Sequence, residues 1–185
     1  MSELQTKYQN AIKFAAKKHA DKNQLIPGTN LSYVVHLSNV AMEILIASQK
    51  TETFDTEFAI QVALLHDILE DTETTFDELV NEFGEEIAKA ILSLTKNSNI
   101  PKEKRMDDSL NRIKELKKEV WAVKLADRIT NLQVPPEHWS IEKITEYQKQ
   151  AVQIHNSLKG GNEYLENRLS KKILDYLKYC VTTTE

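Results

Sequence analysis

The sequence predicts an all-α protein, and three observations support this fold class. Apolar residues recur at a helical spacing of three or four through most of the 185 residues. Glycine and proline number only 4 each, whereas an all-β sandwich normally needs more turn residues. The chain is 41% apolar and 28% charged, a composition that supports one ordinary hydrophobic core. We therefore expect a single helical domain over residues 1–185.

Three helices are predicted in the first part of the chain. An amphipathic stripe over residues 4–16 indicates the first, and a polar stretch with Pro27 and Gly28 follows it. Apolar patterns over residues 33–46 and 58–69 indicate the second and third helices, of which the third is the more apolar.

Two shorter helices are predicted next. Thr75 followed by Glu78 has the form of a capping box, in which the hydroxyl accepts from the helix start and the carboxylate reaches back to the cap N–H. This helix is expected to end near Gly84. A further amphipathic stripe covers residues 83–94, and a loop interrupted by Pro101 follows.

The last part of the chain is predicted to be helical as well. The mixed-charge run 114–119 is expected to cover an exposed helix face, and residues 120–131 are read as a buried helix that ends at Pro135-Pro136. Two long amphipathic helices over 141–158 and 162–179 complete the chain, with Ser140 as a cap and Gly160-Gly161 between them.

Charge and composition exclude several classes of partner. The net charge of −4 provides no electrostatic excess for binding nucleic acid polymers or an anionic membrane. No apolar run approaches the length needed to span a bilayer, no targeting stretch is visible, and the lone Cys180 cannot form an internal disulfide. We expect a cytoplasmic protein. The sequence leaves its oligomeric state open.

Polar groups cluster at the end of the apolar third helix. His66, Asp67, Glu70 and Asp71 follow directly on Leu64-Leu65. Burying such charges costs several kcal/mol unless they are paired or coordinated, so the cluster predicts a bound cation. Neighbouring helical side chains point about 100° apart, so His66 and Asp67 share one ion only at a helix end or a distorted turn.

Two other apolar segments each contain polar residues of the same kind. His36 lies within Tyr33-Val34-Val35-His36-Leu37, and Asp127 lies within the buried 120–131 segment. Two imidazoles and two carboxylates suit a first-row divalent ion such as manganese, iron or zinc. The sequence does not choose among these metals.

These motifs resemble the HD superfamily of metal-dependent phosphohydrolases. The stretch from His66 to Thr72, and Lys124-Leu-Ala-Asp-Arg-x-x-Asn131 some sixty residues later, are similar to the hydrolase domain of RelA/SpoT-type enzymes. Those enzymes remove pyrophosphate from guanosine tetra- and pentaphosphate. The resemblance implies an HD-domain helical bundle and a small stand-alone hydrolase with a nucleotide substrate.

The resemblance also implies a role for individual residues. It assigns one divalent metal ion, expected to be manganese, to His36, His66, Asp67 and Asp127. It makes Glu70 and Asp71 catalytic residues that act on a metal-activated water. Asn131 would bind the nucleotide, and Lys124 and Arg128 would neutralise phosphate. His19, His138 and His155 have no such neighbours in sequence and are expected to lie outside the site.

One departure from the family pattern concerns the substrate. The family's Arg-Lys pair, which contacts the nucleotide base, is replaced here by Gln24-Leu25. A neutral amide does not substitute for a stacking or bidentate arginine. Two alternatives to guanosine polyphosphate hydrolysis therefore stay open, namely an HD phosphohydrolase for another nucleotide and a non-catalytic, metal-containing nucleotide sensor.

Overall fold

The structure is a computed structural model that describes residues 3–180, so both ends of the predicted domain 1–185 lie outside the described residues. The predicted all-α class is confirmed: these residues form helices, and the β-type pairing among them is one isolated bridge between Leu25 and Ser32. The described α-helices are α1 (Glu3–Asp21), α2 (Val34–Ser48), α3 (Thr56–Leu65), α4 (Ile68–Asp71), α5 (Phe76–Phe83), α6 (Glu85–Leu94), α7 (Arg105–Lys114), α8 (Lys118–Asn131), α9 (Ile141–Ser157) and α10 (Glu163–Tyr176).

Helix α3 lies at the centre of the molecule. It packs against α1, α2 and α8. Leu64 and Leu65 in its last turn are fully buried, as the high apolar content of the segment predicts. The C-terminal end of α3 is therefore fixed next to α2 and α8, the helices that carry the other predicted metal ligands.

The remaining helices pack mainly on their neighbours along the chain. Helices α5 and α6 contact each other, α7 packs on α6, and α9 and α10 form a pair of which α10 lies against α8. Ser140 and Asn162 cap α9 and α10 by accepting from backbone amides. The predicted break at Gly160-Gly161 between these two helices is confirmed.

The prediction of one continuous helix over 58–69 is wrong. Helix α3 ends at Leu65, and the short α4 begins at Ile68. Asp67 between them has φ −99° and ψ 0°, values of a turn rather than a regular helix. The apolar pattern runs straight through this break because both helices bury their apolar side chains in the same core. The break provides the distorted turn that His66 and Asp67 need to face one point.

The predicted capping box is only half formed. The Thr75 hydroxyl accepts from the Glu78 amide at 3.2 Å, as expected for an N-cap. The Glu78 carboxylate instead accepts from the Lys18 ammonium group of α1 at 2.6 Å. A charged partner outside the helix thus replaces the neutral N–H of the cap.

Two expectations about the third quarter of the chain are also wrong. Residues 114–119 do not form one exposed helix face, because they span the end of α7 and the start of α8. Glu119 is buried, and its carboxylate accepts a hydrogen bond from the Asp55 amide at 2.9 Å. Helix α8 is not ended by Pro135-Pro136, because it already ends at Asn131, four residues before Pro135.

No helix within residues 3–180 combines the length and apolar character needed to cross a bilayer.

Candidate metal centre

Four predicted ligands converge from three parts of the fold. His36 lies in the first turn of α2, His66 and Asp67 lie in the break after α3, and Asp127 lies in the last turn of α8. One ligand atom from each side chain lies within 4.8 Å of all the others. Nε2 of His66 is 2.9 Å from Asp67 Oδ2 and 3.6 Å from Asp127 Oδ1. Nε2 of His36 is 3.6 Å from the same Asp127 oxygen.

The other ring nitrogen of each histidine has a partner that accepts its proton. Nδ1 of His66 donates to the carbonyl oxygen of Ala63 at 2.8 Å. Nδ1 of His36 faces the Thr130 hydroxyl oxygen at 3.4 Å, and that hydroxyl itself donates to the Asp127 carbonyl oxygen. Both Nε2 atoms are therefore left with a free lone pair directed into the cluster, the arrangement usual for metal-binding histidines.

The two carboxylates are held in their charged form. Burial raises the pKa of Asp127, but its charged and polar neighbours, the Lys124 ammonium group first among them, outweigh this and hold the pKa well below its usual range. Lys124 Nζ lies 3.0 Å from Asp127 Oδ2, and the Asn131 amide donates to Oδ1. Asp67 accepts from the Tyr33 hydroxyl, and burial beside Asp67 raises the pKa of that phenol, so Tyr33 stays protonated and donates.

These donors fit a divalent cation. The two Nε2 atoms are 3.4 Å apart, and with Nδ1 protonated on both rings neither carries a hydrogen for the other. Their lone pairs face each other and two carboxylates in a largely buried place, which is unfavourable without a positive charge between them. A set of two imidazoles and two carboxylates suits first-row divalent metals.

Glu70 and Asp71 lie on α4, directly beyond the ligand pair on the chain. Glu70 accepts from the Lys96 side chain at 2.6 Å and from the Lys96 amide at 3.2 Å. Asp71 accepts from the Gln24 side-chain amide at 2.7 Å. Burial raises the pKa of Asp71, and the neighbouring Asp67 and Glu70 charges add to this effect. Both carboxyl groups are thus held in place by residues from other segments.

The three predicted substrate-binding residues are placed differently from one another. Lys124 and Asn131 both contact the metal-ligand candidate Asp127. Arg128 is buried: its guanidinium carbon lies 4.3 Å from the centre of the Tyr147 ring, and its Nε and Nη1 have no hydrogen-bond partner within the described structure. A buried cation with free donors is a candidate for an anionic ligand.

An uncharged cavity opens beside His36. Its volume is about 470 Å³, and Trp139, Tyr147 and Tyr176 form its aromatic wall. No lysine, arginine, aspartate or glutamate is among the described residues that line it. Such a cavity suits a flat, uncharged group of a ligand better than a phosphate.

The comparison with known proteins identifies the family. A model of the HD domain matches residues 11–162. The chain belongs to the HD-domain family. It is 36% identical to guanosine-3′,5′-bis(diphosphate) 3′-pyrophosphohydrolase MESH1 of Danio rerio over 89% of this chain and 91% of the relative. The Homo sapiens MESH1 is 33% identical over 86% of this chain and 88% of its own length.

A solved structure supports the same relationship. It is described as a metazoan ortholog of SpoT that hydrolyses ppGpp, and it matches with a TM-score of 0.78 and 25% identity over 91% of this chain and 94% of the other. The expected HD-type helical fold and the resemblance to guanosine polyphosphate hydrolases are therefore confirmed.

Three residues next to the site make contacts that the sequence analysis did not predict. Tyr33 contacts Asp67. Tyr33 lies three residues before His36, and this helical spacing places the two residues on the same side of the start of α2, so the sequence could have indicated Tyr33. Gln24 contacts Asp71. His19, which the sequence places outside the site, is buried: it is 1% exposed and packs on Tyr33. No sequence pattern distinguishes His19 from His138, which is exposed.

Proposed function

We propose that this chain is a cytoplasmic, manganese-dependent hydrolase that removes the 3′-pyrophosphate of guanosine tetra- or pentaphosphate. The observation that carries the proposal is the convergence of His36, His66, Asp67 and Asp127 within 4.8 Å. The names of the full-length relatives supply the substrate class. The aromatic cavity beside His36 provides room for the base and ribose.

The chain's own residues divide the work of such a reaction. A divalent ion held by the four ligands supplies Lewis acidity, which makes water a usable nucleophile at neutral pH and stabilises charge on phosphate oxygens. Glu70, held by Lys96, orients the attacking water and takes its proton, and Asp71 supports the same proton path. Asn131 borders the cavity and contacts the nucleotide. Arg128 and Lys124 offset the negative charge of the phosphates.

A different nucleotide is the second candidate, and one observation favours it. Gln24 occupies the place of the family's Arg-Lys pair, but its amide is engaged by Asp71 and His19. Leu25, its neighbour, is 48% exposed and brings no charge. Neither of these two positions therefore offers a cation for stacking on a guanine base.

A nucleotide panel distinguishes the two candidates. Purified protein loaded with manganese is incubated with ppGpp, pppGpp, ordinary nucleoside triphosphates and nucleoside monophosphates, and released pyrophosphate and orthophosphate are measured separately. The proposal predicts pyrophosphate from ppGpp and pppGpp in preference to the others. Turnover of another nucleotide without turnover of ppGpp establishes the second candidate.

The variant Glu70→Gln tests catalysis against a sensing role. Loss of the carboxylate should lower kcat by about a hundredfold or more, because general-base catalysis contributes on that scale. The matched control is Glu52→Gln at an exposed position. Wild-type protein that binds metal and nucleotide but releases no product would support the sensor and refute the enzyme.

A further inference from the structure

Gln24 connects a buried histidine to the proposed catalytic carboxylate. Its side-chain Nε2 lies 2.7 Å from Asp71 Oδ2, and its Oε1 lies 2.5 Å from Nδ1 of His19. Within residues 3–180, Gln24 is the sole hydrogen-bond partner of the Asp71 side chain. The position of that carboxylate therefore depends on one amide group.

The backbone at the end of α1 places Gln24 for these contacts. The Asn23 amide donates to the Ala20 carbonyl oxygen at 2.8 Å, and the Gln24 amide donates to the His19 carbonyl oxygen at 3.1 Å. Asn23 has φ +50°, a left-handed conformation that asparagine tolerates. Together these features form a Schellman motif, which brings the side chains of His19 and Gln24 next to each other.

The available hydrogen-bond donors and acceptors determine how His19, Gln24 and Asp71 are oriented. A carboxylate only accepts hydrogen bonds, so the NH₂ group of Gln24 must face Asp71 and the amide oxygen must face His19. That oxygen needs a donor, so His19 carries its proton on Nδ1. Its Nε2 is buried with no partner, which leaves a bare lone pair rather than an unpaired N–H. Burial also lowers the pKa of His19, in keeping with a neutral ring.

We infer that Gln24 is a positioning residue for Asp71 and that His19 sets the orientation of the Gln24 amide. Without Gln24, no hydrogen bond within residues 3–180 would hold the Asp71 carboxylate in one orientation. His19 and Gln24 do not touch the reacting atoms; they act through Asp71. The inference rests on the proposed function, since it assigns Asp71 to the reaction, and it adds two residues that the metal and substrate assignments leave out.

Kinetics of variants test the positioning role. Gln24→Leu should lower kcat about ten- to a hundredfold with KM changed less than about twofold, because misplacing a catalytic group by about 1 Å has effects of that size. The matched control is Gln150→Leu, which removes a half-buried glutamine from its surface contact with Glu146 on α9 and should leave kcat unchanged. An unchanged kcat in Gln24→Leu would overturn the inference.

A conservative replacement separates positioning from packing. His19→Asn keeps an N–H donor near the place of Nδ1, so it should retain most of the kcat that His19→Ala loses. Melting temperatures of both variants are measured alongside. If His19→Asn and His19→Ala lose the same activity at equal stability, His19 does not orient the amide.

The tautomer of His19 can be measured on the wild-type protein. This test needs no substrate and does not depend on whether any variant folds. Nitrogen-15 NMR of the His19 ring should show Nδ1 protonated and Nε2 bare. The opposite tautomer would refute the amide orientation argued above. A wild-type chain that hydrolyses nothing on the nucleotide panel refutes the proposed function instead, and the ring tautomer still reports whether the His19–Gln24–Asp71 contacts form.

Discussion

The hydroxyl oxygen of Thr130 lies 3.4 Å from Nδ1 of His36 and donates its own proton to the Asp127 carbonyl oxygen at 2.9 Å. Because that proton is committed to the carbonyl, the hydroxyl can only accept from the imidazole. Thr130, on the last turn of α8, thereby orients a ligand candidate on α2. Partners of this kind are often as important to a metal site as the ligands themselves.

Removing the Thr130 hydroxyl should weaken metal binding. Thr130→Val keeps the side-chain shape but offers no acceptor to His36, so the affinity for Mn²⁺ should fall about ten- to a hundredfold. Titration calorimetry with Mn²⁺ measures the change. Thr130→Ser retains the hydroxyl and should bind as the wild type does. Equal affinity in the valine and serine variants would contradict this role.

Arg168 should stabilise the packing of α10 on α2. It forms hydrogen bonds to both carboxylate oxygens of the buried Glu43, with Nε at 2.7 and 2.6 Å. Arg168→Met leaves that carboxylate buried and unpaired, so we expect a loss of about 2 to 3 kcal/mol in the free energy of unfolding. Urea unfolding measures it. The double variant Glu43→Met with Arg168→Met should lose less free energy of unfolding than Arg168→Met alone, because it leaves no unpaired charge buried.

Asp55 should make the stability of the fold depend on pH. It caps α3, with Oδ1 accepting from the Phe58 amide at 3.0 Å and Oδ2 from Lys117 Nζ at 3.1 Å. Although partial burial raises its pKa, these two hydrogen bonds lower it below the usual value. The stabilisation by the carboxylate is therefore complete above the unfolded-state pKa of about 3.9 and is lost as the pH falls through the folded-state value.

Variants of Asp55 separate the cap from the charge. Asp55→Ala should lower the free energy of unfolding at pH 7 by about 1 kcal/mol, the usual effect of losing an N-cap. Asp55→Ser keeps a capping oxygen and should recover most of this loss. Melting temperatures are measured between pH 7 and pH 3. The melting temperature of the wild type should approach that of Asp55→Ser at the acid end. A difference between the two that does not change with pH would count against the ionised cap.

Gly161 should not tolerate a side chain. A Cβ at this position would lie 2.9 Å from Trp121 Cβ and 3.0 Å from the Leu158 carbonyl oxygen. We expect Gly161→Ala to destabilise the fold by about 1 to 3 kcal/mol, because α10 must move away from α8. Gly160→Asn is the control: Gly160 has φ +85° and an open surrounding, and asparagine tolerates that backbone. Similar losses in both variants would argue against the close contact.

The periodic part of the fold was predictable from sequence, and so were the candidate ligands. Each helix buries one apolar face, so its position follows from the spacing of apolar residues. The four ligands stand out because imidazole and carboxylate groups are rare within apolar segments. The sequence therefore indicates His36, His66, Asp67 and Asp127 as candidates, and the structure brings them together. Their roles as ligands stay a prediction that the metal titration tests.

The remaining features depend on contacts between distant segments. The break at Asp67 is invisible to apolar periodicity, since the core continues on both sides of it. Glu78 binds Lys18 across 60 residues, which no capping rule takes into account. His19 and Gln24 become neighbours through a helix end, but only the fold brings Asp71 to them. Their sequence carries no pattern for such a contact.

The uncharged aromatic cavity adjoins the buried ligand cluster at His36, and this has a consequence for inhibitor chemistry. A compound that fits both regions must be two-sided, with a chelating head near His36 and a planar apolar tail against Trp139 and Tyr147. Such a molecule needs no phosphate mimic on its tail, so it can stay nearly neutral and enter cells more readily than a nucleotide analogue.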